Sequence, residues 1–269
     1  MIETGIAWLA AYSATGALVG FLAGLLGIGG GMTLVPILAA MFAAQGLAPG
    51  HTVHLALGTA MASVVFTSSA SVRAHHKRGA VDWAIVRAMA PAMVAGTLVS
   101  TVASGWIAQR NLSLAFAVIV YGGATQILFG AGPKAARGMP GTATVIAAGV
   151  AIGVVCGLVS AGGAFLTIPF MLLGGVAMHT AIGTAAAIGI PVAAVGTLGY
   201  IASGLRAPSL PDFSAGFVYF PALAALVLGS VATAPLGARA AHALPVTALR
   251  RAFAVLLYLL ATKMALTTW

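Results

Sequence analysis

Apolar runs long enough to cross a bilayer recur from one end of this chain to the other, and that feature dictates its solvent. Only 6% of its 269 residues are charged and 61% are hydrophobic, whereas a soluble domain carries about 25% charged residues. Such a chain cannot cover a water-facing surface. A membrane β-barrel would alternate polar and apolar residues in short strands, and no segment does so. The expected class is therefore an all-α polytopic membrane protein. The net charge of +9 does not point to nucleic acid, because the Lys and Arg residues are scattered over helix ends. They read as topogenic charge on the cytoplasmic side. The single cysteine, Cys156, excludes an intramolecular disulfide and a thiolate metal cluster. The N-terminal stretch carries Glu3 and no basic region, so it does not read as a cleaved signal peptide. No GxxxxGK[ST] loop is present to make the chain its own ATPase.

The chain is written twice. "GLLGIGGGMTLVP" (Gly24 to Pro36) aligns with "GLVSAGGAFLTIP" (Gly157 to Pro169) at five of thirteen positions. "HLALGTA" from His54 then matches "HTAIGTA" from His179 at five of seven. Asp82-Trp83 matches Asp212-Phe213, Pro91 matches Pro221, and "AFAVIVYGGAT" from Ala115 matches "AFAVLLYLLAT" from Ala252 at seven of eleven. The same order throughout is hard to obtain by chance among Ala/Gly/Leu-rich helices. The organisation expected is a first repeat over 1–131, a basic cytoplasmic linker over 132–142 and a second repeat over 143–269.

Each half predicts five segments, near 6–26, 32–45, 54–73, 83–107 and 112–130, then near 144–159, 164–177, 180–201, 213–236 and 248–266. The second segment of each is roughly 14 residues, about 21 Å of helix against about 30 Å of hydrocarbon. If these short segments cross, the halves lie upside down to each other. One side then collects Arg73, Lys77, Arg78, Lys134, Arg137, Arg239, Arg250 and Arg251, and the other Arg110, Arg206 and Lys263. If they are re-entrant, the split falls from eight against three to seven against four. The positive-inside rule prefers about ten transmembrane segments in two inverted five-segment repeats with short Gly-broken helices.

Inverted repeats with a short Gly-interrupted segment at matching places point to the binding site of a secondary transporter. Glycine lets the chain unwind and turn. The helix restarting after it, at Met32 and at Phe165, aims unpaired N–H groups and a positive dipole end into the membrane interior, which suits an anion. Broken backbone at that depth survives only where protein or a water-filled cavity satisfies it. The candidate binding residues are Gly29, Gly30, Gly31 and Thr33 at the first break, and Ser160, Gly162, Gly163 and Thr167 at the second. Thr59 and Thr184, at equivalent positions of the following helices, could add hydrogen bonds. The competing readings are close helix packing for the glycines and bonding to their own helix backbone for the hydroxyls.

The run "GFLAGLLGIGGGMTLVPIL", then "HLALGTA", then "RAHHKRGAVDW", with a degenerate second copy, resembles the sulfite exporter TauE/SafE family, also called the 4-toluene sulfonate uptake permease family. The resemblance covers essentially the whole chain. It implies transport of sulfur-containing oxyanions such as sulfite, sulfate, thiosulfate or organosulfonates, some members exporting and others importing. In the second copy SAGGA replaces GIGGG.

The remaining charges fit an anion path. Only Glu3, Asp82 and Asp212 are acidic; none falls within a segment, which argues against a cation route or a carboxylate proton relay. Asp82 and Asp212 stand just before predicted helices and read as N-caps. His54 and His179, equivalent in the two copies, are candidates for gating or proton coupling, against the plainer reading of structural histidines at helix ends. Lys263 is expected to snorkel to the interface, and Arg87 either does so or draws anions to the cytoplasmic mouth. No metal site and no cofactor is expected. The sequence reading is thus a secondary transporter of a bacterial inner membrane, moving a small sulfur-containing anion by alternating access with proton coupling. Its partners are that anion and membrane lipid, with no nucleic acid, and a homo-oligomer is compatible with it. The alternatives are a transporter of another small anion or of a divalent metal such as nickel. An intramembrane enzyme would need a nucleophile and base that the spacing does not supply. A purely structural protein would not need two matching breaks.

Overall fold

The computed structural model describes residues 2–26, 30–129, 138–240 and 246–266. Gly29 and residues 132–137 of the expected linker lie outside them. The described residues form α1 (Ile2–Leu26), α2 (Gly31–Ala44), α3 (Thr52–His76), α4 (Trp83–Ser104) and α5 (Gln109–Phe129) in the first copy. The second copy holds α6 (Thr142–Val159), α7 (Ala164–Leu173), α8 (Met178–Gly204), a two-stranded hairpin of β1 (Ser214–Ala215) and β2 (Val218–Tyr219), α9 (Phe220–Ala240) and α10 (Val246–Leu266). Among the described residues, seven helices are long and apolar enough to cross a membrane. The shorter apolar ones are Gly31–Ala44, Ala164–Leu173 and Phe253–Leu266. Large apolar side chains such as Leu18, Val99, Val118, Leu198 and Leu228 are exposed on the outside of the bundle, where lipid is their natural solvent. The protein is an all-α polytopic membrane protein.

α2 begins at Gly31, and α6 gives way to α7 between Ser160 and Gly163, where the glycines predict. The second short helix is briefer than its apolar run, because Gly174 and Gly175 (φ +80°) stop it after Leu173. At ten residues it is about 15 Å long.

The two copies interlock. The first helix of each packs along the fourth helix of the other, α1 on α9 and α4 on α6, while α3 packs on α8 and α5 on α10. Glycine makes the first two contacts close enough for backbone to touch backbone. A methyl on Gly16 would lie 2.3 Å from the Leu226 carbonyl oxygen, and one on Gly20 would lie 2.5 Å from Ser230 Cα. In the other pair a methyl on Gly149 would lie 2.9 Å from Ala92 Cβ and 3.4 Å from the Met89 carbonyl oxygen, and one on Gly153 would lie 2.1 Å from that of Met93. The α5–α10 pair is likewise reciprocal: Tyr121 bonds Thr262, and Thr125 bonds Tyr258.

These contacts correct one part of the sequence alignment. Leu226 and Ser230 take the places of Met89 and Met93, an offset of 137 residues, whereas Pro221 follows Pro91 and Asp212 follows Asp82 by 130. Those last two matches are out of register by two turns of helix. Asp82 does cap α4, its carboxylate accepting the Ala84 and Ile85 N–H groups at 2.9 and 3.1 Å. Asp212 caps nothing: it is exposed in a turn, and α9 begins at Phe220 rather than near 213. The residues between form the hairpin, with Gly216 at φ +51° in the first of its two loop positions, as a primed turn requires. Pro221 then stands in the first turn of α9, where its missing N–H deprives the helix of no bond.

Candidate functional site

The breaks meet each other. α6 ends at Ser160, held at φ 52°, ψ 37° in the left-handed region that a β-substituted residue rarely adopts. Its hydroxyl donates to the Leu57 carbonyl at 2.7 Å, tying the turn to α3, and the Tyr200 hydroxyl donates to the Gly157 carbonyl at 2.7 Å, satisfying one orphan acceptor of the helix end. The Ser160 carbonyl points at Gly31, the first residue of α2: a methyl there would sit 2.0 Å from the oxygen. Gly163, at φ +92°, opens α7, and its carbonyl accepts the Leu166 and Thr167 N–H groups. Gly162 lies against Val64 of α3 and Gly189 of α8. The N-terminal residues Met32 and Phe165, equivalent in the two copies, converge on Gly123 of α5. Two helix starts, with the N–H groups any helix leaves unpaired there, are thus brought to one place in the bundle.

The structure assigns contacts to the candidate hydroxyls. Thr33 donates to the Gly30 carbonyl at 3.2 Å, and Thr167 to the Met93 sulfur at 3.8 Å. Thr59 and Thr184 form a reciprocal pair: Thr59 accepts the Tyr219 N–H at 3.0 Å and Thr184 accepts the Asp82 N–H at 2.9 Å. Beside them Gly58 and Gly183 admit the carbonyls of Phe217 and Ala80, each of which would lie 2.1 Å from an added methyl. The Gly-Thr dipeptide shared by the copies is therefore a clasp. Each one grips the extended segment that leads into the other copy's fourth helix.

The two histidines part company. His54 is 2% exposed; its Nε2 lies 3.0 Å from the Ser104 carbonyl at the end of α4 and 3.1 Å from the Ile107 carbonyl beyond it, and it donates to them. Its ring packs on Phe217 and His51, with centroids 4.9 and 5.6 Å away, and the Nδ1 atoms of both histidines are buried without a partner. His179 is exposed near the start of α8. Arg87 is exposed and folds back to donate to the Trp83 carbonyl. Lys263 is exposed and lines an open cleft together with Thr52 and Gln109.

A second cleft, narrow and partly open, lies against Gly30. Three hydroxyl residues line it that the sequence does not single out: Ser63 and Thr67 on α3, and Ser230 on α9. Serine and threonine are common in apolar helices, and the one-turn spacing of Ser63 and Thr67 is the only signal they leave in the sequence.

An apolar helical bundle whose interior holds two facing helix breaks and a hydroxyl-lined cleft defines a multi-pass membrane transporter. The model of the family described as "Sulfite exporter TauE/SafE" matches residues 12–264, and the chain belongs to that family. It is 32% identical over 253 residues to a "Probable membrane transporter protein" of Haemophilus influenzae, covering 93% of this chain and 96% of the relative. It is 26% identical over 242 residues to the "Probable membrane transporter protein YdhB" of Bacillus subtilis, covering 87% and 91%. No solved structure matches the chain. The protein is a membrane transporter, not an enzyme.

Proposed function

We propose that this transporter moves a small sulfur-containing anion such as sulfite or an organosulfonate across a bacterial inner membrane, by alternating access and with proton coupling. The observation that carries this reading is the meeting of the breaks: Gly31 at the start of α2 lies against the carbonyl of Ser160, the residue that ends α6 shortly before α7 begins at Ala164. Helix starts favour negative charge, and Gly30, Gly31, Thr33, Ser160, Gly162, Gly163 and Thr167 stand by them as the candidate binding residues, with Gly29 proposed from the sequence alone. Thr59 and Thr184 serve from behind, fixing the segments that frame the site. His54, or His179 on the exposed end, is the candidate for gating or proton uptake. Among the described residues no three His, Cys, Asp or Glu side chains come together, which favours anion over metal cargo.

We further read the fold as two inverted five-segment repeats, 1–131 and 143–269, joined by a basic cytoplasmic linker. The reciprocal packing of α1 on α9 and α4 on α6 supports this. Alternating access then follows from the two copies exchanging roles about their common centre.

The test is uptake of radiolabelled sulfite into liposomes containing only this protein, with and without a proton gradient. Saturable uptake inhibited by related sulfur anions is expected. Liposomes that take up no sulfur anion but accumulate nickel would replace this reading with the metal one.

A further inference from the structure

The two break regions differ in chemistry. Ser63 and Thr67 line the first cleft from α3, and the residues 125 positions later on α8 are Ile188 and Val192. That is the spacing by which Thr59 and Thr184 make the same contact. Ser230 lines the same cleft from α9, and 137 positions earlier, the spacing set by the glycine contacts, stands Met93 of α4. At these three positions the first break region presents hydroxyls and the second apolar side chains, while Leu34 of the first is matched by Thr167 in the second.

The second region is also filled. Met93 is fully buried, and its Cε lies 2.7 Å from the place a Cβ would take on Gly163. Its sulfur receives the Thr167 hydroxyl. In the first region the hydroxyls of Ser63, Thr67 and Ser230 donate to carbonyls of their own helices, Ala60, Val64 and Val227. A hydroxyl rotates freely and can turn its hydrogen toward a bound oxyanion; isoleucine, valine and methionine offer no donor. An anion stripped of water needs such donors.

Building on the anion-transport reading above, we propose that substrate occupies one site, in the first-copy cleft, where Ser63, Thr67 and Ser230 bind it, and that Met93 stoppers the corresponding space in the second copy. The symmetric frame carries an asymmetric site. The size of the cleft also selects among sulfur anions. Its space admits about one water, so a compact inorganic oxyanion needs far less widening of it than an aromatic sulfonate.

The experiment measures thermal stabilisation of the purified protein by sulfite, sulfate and benzenesulfonate, since a ligand that binds only the folded state raises its stability. Variants are Ser63→Ala, Thr67→Val, Ser230→Ala, Ser230→Met and Met93→Ser. Wild type is expected to bind sulfite or sulfate and not benzenesulfonate. Ser63→Ala, Thr67→Val and Ser230→Ala should each weaken binding by about tenfold, the scale of a hydrogen bond to a charged group. Ser230→Met should abolish it and Met93→Ser should keep it. Thr67→Val changes little volume, so the test stands even if Ser230→Met does not fold. Unchanged affinity in the three hydroxyl variants, or loss of binding in a folded Met93→Ser protein, would move the anion out of the first cleft and leave the transport reading intact. Benzenesulfonate binding that competes with sulfite would overturn the size limit. Failure of every sulfur anion to stabilise wild type would bring down the functional reading and this site with it.

Discussion

Replacing Gly31 by alanine probes the junction of the two breaks directly. The added methyl would stand 2.0 Å from the Ser160 carbonyl oxygen, and side-chain Cβ atoms essentially never come within 3.0 Å of such a neighbour. The breaks must therefore separate by at least about 1 Å. Rotation of the carbonyl offers no escape, because Ser160 is fixed by its left-handed backbone and by its hydroxyl bond to Leu57. Overpacking of this kind costs about 1–3 kcal/mol. Misplacement of a binding constellation by 1 Å can cost on the order of 100-fold in rate, so sulfite uptake should fall at least about tenfold even in protein that remains folded. The control is Gly122→Ala in α5, where nothing lies within 4 Å of the new methyl and alanine favours the helix by up to about 1 kcal/mol. Thermal unfolding in detergent and uptake into liposomes, run side by side on both variants, decide the matter. If Gly31→Ala matches Gly122→Ala in both, the breaks do not touch in the working protein and the reasoning fails.

Asp82→Ala should lower stability by about 1 kcal/mol through loss of a helix cap, while Asp212→Ala, exposed in its turn, should change it by less than about 0.5 kcal/mol; equal effects in thermal unfolding would restore the sequence register. Thr59→Val and Thr184→Val each strip the partner from a backbone N–H, at about 1–3 kcal/mol, and hydrogen exchange should quicken at Tyr219 in the first and at Asp82 in the second. Exchange unaltered at those amides would dissolve the clasps. His54→Ala should destabilise the protein by about 1–3 kcal/mol by removing the side-chain donor from the Ile107 carbonyl beyond α4, whereas His179→Ala should leave the unfolding temperature where it was.

Much of this architecture is legible in the sequence. The apolar runs name the helices, and the two glycine clusters place the breaks to within a residue or two, because helix interruption is a local property of the backbone. Asp82 is readable as a cap for the same reason. Asp212 looks identical in sequence, yet its stretch folds into a hairpin whose Phe217 is buried against His51 and His54. Equivalent letters also part company at His54 and His179, one buried and the other exposed. Ser63, Thr67 and Ser230 are invisible beforehand, since a hydroxyl on an apolar helix shows its role only when a cleft opens beside it.

The sequence by itself determined that the chain lives in a membrane, that its motifs recur in the same order in its second half, and, to within a residue, where α2 and α7 begin. Each follows from composition, repetition or backbone freedom within a few neighbouring residues. Only the tertiary structure decided the register of α4 and α9, the reciprocal grip of the Gly-Thr clasps, the contact of Gly31 with Ser160, and the narrow cleft that Ser63, Thr67 and Ser230 share. Those features arise where backbones more than a hundred residues apart in the chain approach to contact. Such an approach is governed by which glycines face which carbonyls across the bundle, a relation that no local pattern encodes.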